Sequence, residues 1–372
     1  MADRLLVLHD SADFGGHERI LLDLLPAVLD GSRFDEVTFY VPNANNRLQA
    51  ALAALAAPRL RVETWPFTKR RAEPYLYPFR RVYARNVRRI IAHERPRTTL
   101  LVQGRIEHLV VPAMALSANE RIVSYLPMAH RLADMGRSGW LGDRIRRRLY
   151  RRPDLFIVPD AAIASQIAAA GSDAPVCVVD NAVTPVVATR SAARAALDLA
   201  DGVRVALFLG RLEAGQKGLD LLLDAIAREA PALAGTTLIF VGDGPARDRL
   251  ASVIAAHPTL DIRHTGWSNR PDLYLAAADI LLMPSRWEGL PLVLLEAMTV
   301  PLPLLASPID VFRAYLPTAN LHDFARAPLA PAINRVLAPS AVAEYGQRAA
   351  AVLAGRTLDR SRAAFAAALG GE

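Results

Sequence analysis

The stretch 264-HTGWSNRPDLYLAAADILLMPSRWEGLPLVLLEAM-298 carries two carboxylates, Glu288 and Glu296, with seven residues between them. The apolar run Ala276 to Met283 reads as a buried strand ending at Pro284, and Ser285 to Gly289 as a polar loop. Pro291 suits the first turn of a helix, where its missing N–H costs nothing, and the helix then runs through LVLLEAM. A helix N-terminus presents unpaired N–H groups and a partial positive charge, so it can hold a phosphate. At about 1.5 Å per helical residue the two glutamates lie on the order of 10 Å apart along the axis. That span suits a ligand with hydroxyls at both ends and phosphates between, such as a nucleotide sugar. A carboxylate inside LVLLEAM would be buried and must find a partner. The alternative is a pair of glutamates on a helix surface.

Outward from this stretch, short apolar runs alternate with helical patterns, the mark of α/β layers. In the first half Leu5–Leu8, Val37–Val41, Thr99–Val102, Arg121–Tyr125, Leu155–Val158 and Val176–Val179 read as strands. In the second half Val203–Leu209, Thr237–Val241, Asp261–His264, Ile280–Met283 and Leu302–Ala306 do so. A chain of 372 residues is long for one domain, and two parallel-sheet domains in series fit better than one large sheet. The junction is expected near Asn181–Thr184, giving domains over 1–182 and 183–349. The Ala-rich tail from about Ala341 reads as helix.

One cysteine, Cys177, excludes an internal disulfide and fits a reducing cytosol. LLVLH looks like a first strand rather than a signal, and no apolar run reaches the ~18 residues of a membrane span. A cytoplasmic protein is expected, soluble or peripheral on the inner face of the plasma membrane. The net charge of +7 lies in the first half: residues 1–182 hold 26 Arg and Lys against 19 Asp and Glu, whereas the remainder holds 18 of each. Only Lys69 and Lys217 interrupt an otherwise all-arginine usage, which singles out Lys217 as a place where a compact ammonium is kept.

Gly210-Arg211 ends the strand VALFL, and Lys217-Gly218 opens the next helix. Cations at the C-terminal end of a parallel strand stand where α/β sheets bind ligands. Arginine can clasp a diphosphate with two prongs and lysine adds a mobile charge; the alternative is a solvent-facing pair. VGDGP, with Gly242, is a further strand-end turn that could shape a nucleotide pocket, and Gly266-Trp267-Ser268 suits a base site. In the first half, DFGGHER at 13–19 follows strand one; Gly15 and Gly16 permit close backbone approach and φ > 0, and Glu18 suits a first helical turn. An ordinary βα turn explains the same residues. The dinucleotide fingerprint G-x-G-x-x-G is absent.

PSRWEGLPLVLLEAM, with GRLEAGQKG and VGDGP upstream and FGGHERIL and YLPMAH in the first half, resembles the retaining glycosyltransferases of family GT4, which have the GT-B fold. The resemblance is dense from Val205 to Ser307 and sparse before it. It implies two Rossmann-like parallel-sheet domains facing each other across a cleft, with the last helix, about 350–372, crossing back to the N-terminal domain. It further implies transfer of a hexose from GDP-mannose or a UDP-hexose to a glycan or polyprenyl-linked acceptor. Glu288 would hold the donor sugar, the backbone of Gly289, Leu290, Leu292 and Val293 the phosphates and sugar, and Glu296 the ribose. Arg211 and Lys217 would stabilise the departing diphosphate, so that neither metal nor cofactor is expected of the protein. The GG loop would face donor phosphates and acceptor, and His130 the donor sugar; His17 and His108 have weaker claims. The chain departs from the family pattern at EAMTVPLP, where Pro301 replaces a glycine, and the helix should end near Thr299.

Two basic stretches stand apart. Between Pro78 and Pro96, Phe79, Val82, Tyr83, Val87, Ile90 and Ile91 fall at helical spacing with Arg80, Arg81, Arg85, Arg88 and Arg89 around them, after the basic aromatic segment WPFTKRRAEPYLYPF. Such a helix can lie on an anionic membrane or pack on a core with a solvated arginine face. Arg144, Arg146, Arg147, Arg148, Arg151 and Arg152 form a second cluster, read as part of a structural helix. No zinc spacing or nucleic-acid motif accompanies them. A GT-B sugar-nucleotide epimerase, a phosphorylase-like enzyme and a non-catalytic basic binding protein are the rival readings. The last leaves Glu288, Glu296, Arg211 and Lys217 without a purpose.

Overall fold

The computed structural model describes residues 3–31, 33–70, 73–132, 135, 140–200 and 202–371, and the side chains of Trp140 and Leu141 are outside that description. Parts of two stretches named above, residues 71–72 of the basic aromatic segment and residues 133, 134 and 136 after His130, therefore lie outside the described residues. The chain forms two compact units, one of residues 1–182 with 356–372 and the other of 183–355.

The first unit is a seven-stranded parallel sheet of order β3-β2-β1-β4-β5-β6-β7. Its strands are β1 (Arg4–Leu8), β2 (Glu36–Pro42), β3 (Leu60–Trp65), β4 (Thr98–Val102), β5 (Arg121–Tyr125), β6 (Leu155–Val158) and β7 (Val176–Val178). Central strands β1 and β4 are apolar and buried almost throughout, as a sheet covered on both faces requires. β3 escaped the sequence reading because it is an edge strand. LRVETW buries only Trp65 deeply, and Arg61 instead ties the edge to Glu36, Glu63 and Glu94. The helix Leu358–Gly370 belongs to this unit: Arg121 donates to Leu369 O and Arg33 to Gly370 O, both at 2.7 Å, and Ser361 Oγ donates to Asp180 O.

The second unit is a five-stranded parallel sheet of order β10-β9-β8-β11-β12. It comprises β8 (Arg204–Leu209), β9 (Thr236–Val241), β10 (Ile262–Gly266), β11 (Ile280–Met283) and β12 (Leu304–Ala306). Alternation along β8 feeds two cores. Val205 and Leu207 pack with Leu294 and Leu295, whereas Ala206 and Phe208 pack with Leu222, Leu223 and Ile226. Each fully buried leucine here contributes roughly 1.5–3 kcal/mol, so the helix carrying Glu296 is anchored by its apolar neighbours. One boundary differs from expectation: Ala276 and Ala277 end the helix Pro271–Ala277, and the strand starts only at Ile280. The alanines are apolar because that helix end is buried, and burial alone does not separate helix from strand.

Candidate active site

In the second unit the order of the strands reverses between β8 and β11, the place where parallel sheets leave a crevice for ligands. The loops after β8 and β11 meet there. Gly218 begins the helix Leu219–Arg228 in the left-handed region (φ 62°), and a Cβ on it would stand 2.0 Å from Pro284 O, so only glycine permits this approach. Arg286 fastens the loops further, donating its N–H to Gln216 O at 2.8 Å and both guanidinium nitrogens to Asp220 at 2.7 Å. This ion pair holds the Asp220 carboxyl below its usual range against the opposing effect of burial.

The consequence is a contact the sequence did not announce. Lys217 Nζ lies 2.6 Å from Glu288 Oε1, which also accepts from Ser285 Oγ at 2.8 Å, while Gln216 Nε2 donates to Oε2 at 3.2 Å. Glu288 is 5% exposed and Glu296 6%, so neither sits on a helix surface. Burial of an ionised carboxylate is tolerable only with such partners. Gln216 was not anticipated; its only sequence signal is its place next to Lys217 in AGQKG. The helix runs Leu292–Thr299, with Pro291 one position earlier than expected, as its N-cap in extended conformation. Leu292 and Val293 are half-buried in its first turn, whose amides lack acceptors within the helix. Gly289 precedes it half-buried and Leu290 buried. The helix ends at Thr299, whose hydroxyl donates to Glu296 O, so Pro301 lies beyond it and leaves both glutamates in place.

Three glycines predicted separately come together at the ends of β8, β9 and β10. Gly242 donates its N–H to Gly266 O at 2.7 Å, and a Cβ on Gly242 would stand 1.9 Å from Gly210 O. Its φ of 135° is also a glycine conformation. Trp267, the next residue after Gly266, is 59% exposed, an apolar plate at the open end of the sheet. Arg211 is placed differently from Lys217: half exposed, it pairs with Glu213 at 2.8 Å.

In the first unit the loop after β1 holds Gly15 and Gly16, the latter opening the helix Gly16–Leu24. Neither adopts positive φ; Gly15 is extended (φ −144°), and a Cβ there would meet Glu18 Oε2 at an ordinary 3.5 Å. The pair is therefore not dictated by backbone conformation, which corrects that part of the sequence argument. Glu18 is fully buried, with Oε2 accepting from Gly15 N at 2.8 Å and Oε1 lying 2.9 Å from Nε2 of both His9 and His17. Burial alone would raise the Glu18 carboxyl, but His17 and His9 beside it hold it below the usual carboxylate range. Burial lowers His9 and lowers His108 well below the ordinary imidazole value. His130 is half-buried on the loop after β5.

The arginine clusters divide. In the helix Arg81–Glu94, Tyr83, Val87, Ile90 and Ile91 face the core, but Val82 (71%) is exposed together with Arg81, Arg85, Arg88 and Arg89, as is Phe79 (80%) in the turn Tyr77–Phe79 just before it. In the second cluster Arg146 is buried against Glu107 and Asp143, and Arg152 donates to Ala113 O and Leu116 O. These two are structural.

Residues 203–337 match the family described as glycosyl transferases group 1. A stretch of 109 residues is 30% identical to alpha-D-kanosaminyltransferase of Streptomyces kanamyceticus, covering 28% of either chain. Another of 111 residues is 34% identical to the lipopolysaccharide glucosyltransferase WaaG of Escherichia coli, covering 28% of this chain and 29% of that one. The matched stretch thus spans less than a third of the length of either curated relative. The whole chain superposes on Anabaena Alr3699/HepE, solved in complex with UDP and glucose, with a TM-score of 0.77 at 21% identity and full coverage of both chains. The fold is GT-B.

Proposed function

We propose that the protein is a retaining glycosyltransferase that moves a hexose from a nucleotide sugar to the hydroxyl of a glycan or lipid-linked acceptor. The observation that carries this reading is the pair of half-buried Lys217 with buried Glu288 beside the helix that bears buried Glu296, at the switch point of a nucleotide-type sheet. An ammonium has three donors, so Lys217 can keep Glu288 while also meeting a diphosphate drawn to the first turn of the helix Leu292–Thr299. Glu288, fixed by Ser285 and Gln216, would receive hydroxyls of the donor sugar, and Glu296 those of the ribose. Arg211, half exposed in its pair with Glu213, would join Lys217 as charge develops on the leaving nucleoside diphosphate. That phosphate takes the acceptor's proton, the new glycosidic bond forms on the face the diphosphate leaves, and the anomeric configuration is kept. Gly15, Gly16 and His130 occupy C-terminal strand ends of the first unit, the side on which such sheets hold ligands. Their assignment to the sugars follows the family resemblance. The likeness to a protein crystallised with UDP and glucose favours a UDP-hexose as the first donor to test.

No described helix is long and apolar enough to cross a membrane. A lipid-linked acceptor would instead be met through the exposed Arg81, Arg85, Arg88, Arg89, Phe79 and Val82, which combine the charge and apolar reach of a surface-lying helix.

The test is a transfer assay with UDP- and GDP-hexoses against a panel of sugar and polyprenyl-diphosphate-sugar acceptors, with the product anomer read by NMR. We expect retention. Arg211→Ala should lower kcat/KM by about 10²–10³ with an unchanged melting temperature, since its ion pair is surface-exposed. An inverted product excludes the retaining mechanism, and a near-normal rate in Arg211→Ala removes that residue's role.

A further inference from the structure

We propose that His9, His17 and Glu18 form a binding site for one transition-metal ion, of which Zn²⁺ is the best fit, at the base of the glycine loop in the first unit. This inference does not rest on the transferase reading. His9 Nε2 and His17 Nε2 each lie 2.9 Å from Glu18 Oε1, and one donor atom from each of the three residues falls within 4.8 Å of the other two. A tetrahedral ion with bonds of about 2.0–2.2 Å holds its donors roughly 3.3–3.6 Å apart, so these atoms need to part only by about half an ångström to admit one, and two histidines with one glutamate are a known zinc donor set that leaves a fourth position for water or ligand.

Two observations set this cluster apart from an ordinary hydrogen-bonded histidine. His9 Nε2 donates to Glu18 Oε1, as a structural histidine would. His17 Nε2, at the same 2.9 Å from the same oxygen, is buried and lacks the alignment of a hydrogen bond. Two polar atoms turned toward one space without bonding each other is what a shared third atom would require. The second observation is how the carboxylate is held. Glu18 Oε2 accepts from Gly15 N, which leaves Oε1 as the atom offered to both imidazoles, the kind of outer support that orients metal ligands. Backbone supplies the rest of the geometry. His9 follows β1 directly, while His17 and Glu18 are the second and third residues of the helix Gly16–Leu24, so sheet and helix present the donors rigidly. The nearby cation, Lys69, is engaged by Ser11 Oγ at 3.2 Å and by Asp13 at 4.0 Å.

A metal here would bridge the end of β1 to the start of the helix and fix residues 10–16 between them. The full chain, treated with a chelator and exchanged into metal-free buffer, is titrated with Co²⁺ followed by visible absorption, then with Zn²⁺ in competition with a chromophoric chelator. The expected result is one equivalent per chain with the intense visible bands of four-coordinate cobalt, displaced by Zn²⁺. His17→Ala, at a partly exposed side chain, should weaken binding by more than the roughly 10–100-fold that loss of a supporting residue costs. His93→Ala, at an exposed histidine elsewhere, and Cys177→Ser should leave it unchanged. Absence of stoichiometric binding to the wild type overturns the proposal, as does binding that survives in His17→Ala or disappears in Cys177→Ser. A melting temperature matched between His17→Ala and wild type in the metal-free state confirms that lost binding reports the ligand and not the fold.

Discussion

Among the buried carboxylates of the two units, Glu18 and Glu288 stand after strand ends and are partnered differently. Glu288 in the second unit is paired with lysine, whereas Glu18 in the first stands between two histidines. The partner decides what each site can do. An ammonium offers three donors and no lone pair for a metal, so the Lys217–Glu288 pair is suited to an anionic ligand such as a diphosphate. Burial lowers His9, and a neutral imidazole carries a lone pair, so the His9–Glu18–His17 cluster is suited to a cation. Similar parallel-sheet scaffolds thus present opposite polarities.

The largest effect that would test this contrast is at Lys217. Its removal deletes the proposed leaving-group cation and also strips buried Glu288 of its ion-pair partner, which costs up to about 3 kcal/mol where, as here, the lysine is partly solvated. Lys217→Ala should therefore lose transfer by at least about 10²-fold and also melt lower than wild type. Adding Glu288→Gln should recover much of the stability but none of the activity. A double variant as unstable as Lys217→Ala would mean that the pair is not what holds these loops together.

A smaller effect separates the two glycine regions. Gly242→Ala introduces a Cβ 1.9 Å from Gly210 O at φ 135° and should destabilise by at least about 2–3 kcal/mol in urea unfolding. Gly15→Ala meets only ordinary contact in an extended conformation and should change stability by less than about 0.5 kcal/mol. An activity loss in Gly15→Ala without a stability loss would give this glycine a ligand-facing purpose; equal stability losses would erase the distinction.

The same contrast explains what could be read from the chain. The second unit was legible because its strands are buried on both faces and its site residues lie in a few short motifs; β8, β9 and β11 were found nearly to their ends, and Glu288, Lys217 and the glycines converge. The pairing of Lys217 with Glu288 was not legible, because 71 residues separate them and only the positive-φ turn at Gly218 brings the loops together. In the first unit β3 was missed because an edge strand carries charges where a central strand carries apolar side chains. His9 and Asp10 passed unnoticed because nothing in LLVLHD marks them. Burial makes them informative: Asp10, which accepts from Leu109 N, is pushed up to about 7. His17 drew little weight as a lone histidine, and its significance comes from a neighbour eight residues back.

The central claim is that the second unit holds a nucleoside diphosphate between the helix Leu292–Thr299 and the β8 loop, with Glu296 on the ribose. It is tested most directly by titrating the full chain with UDP, GDP and ADP in a calorimeter, for wild type and Glu296→Ala. The account predicts one site with a clear preference for one nucleotide, weakened about 10–100-fold in Glu296→Ala by loss of charge-assisted hydrogen bonds. Failure of all three nucleotides to bind, or equal affinity in the variant, would contradict it.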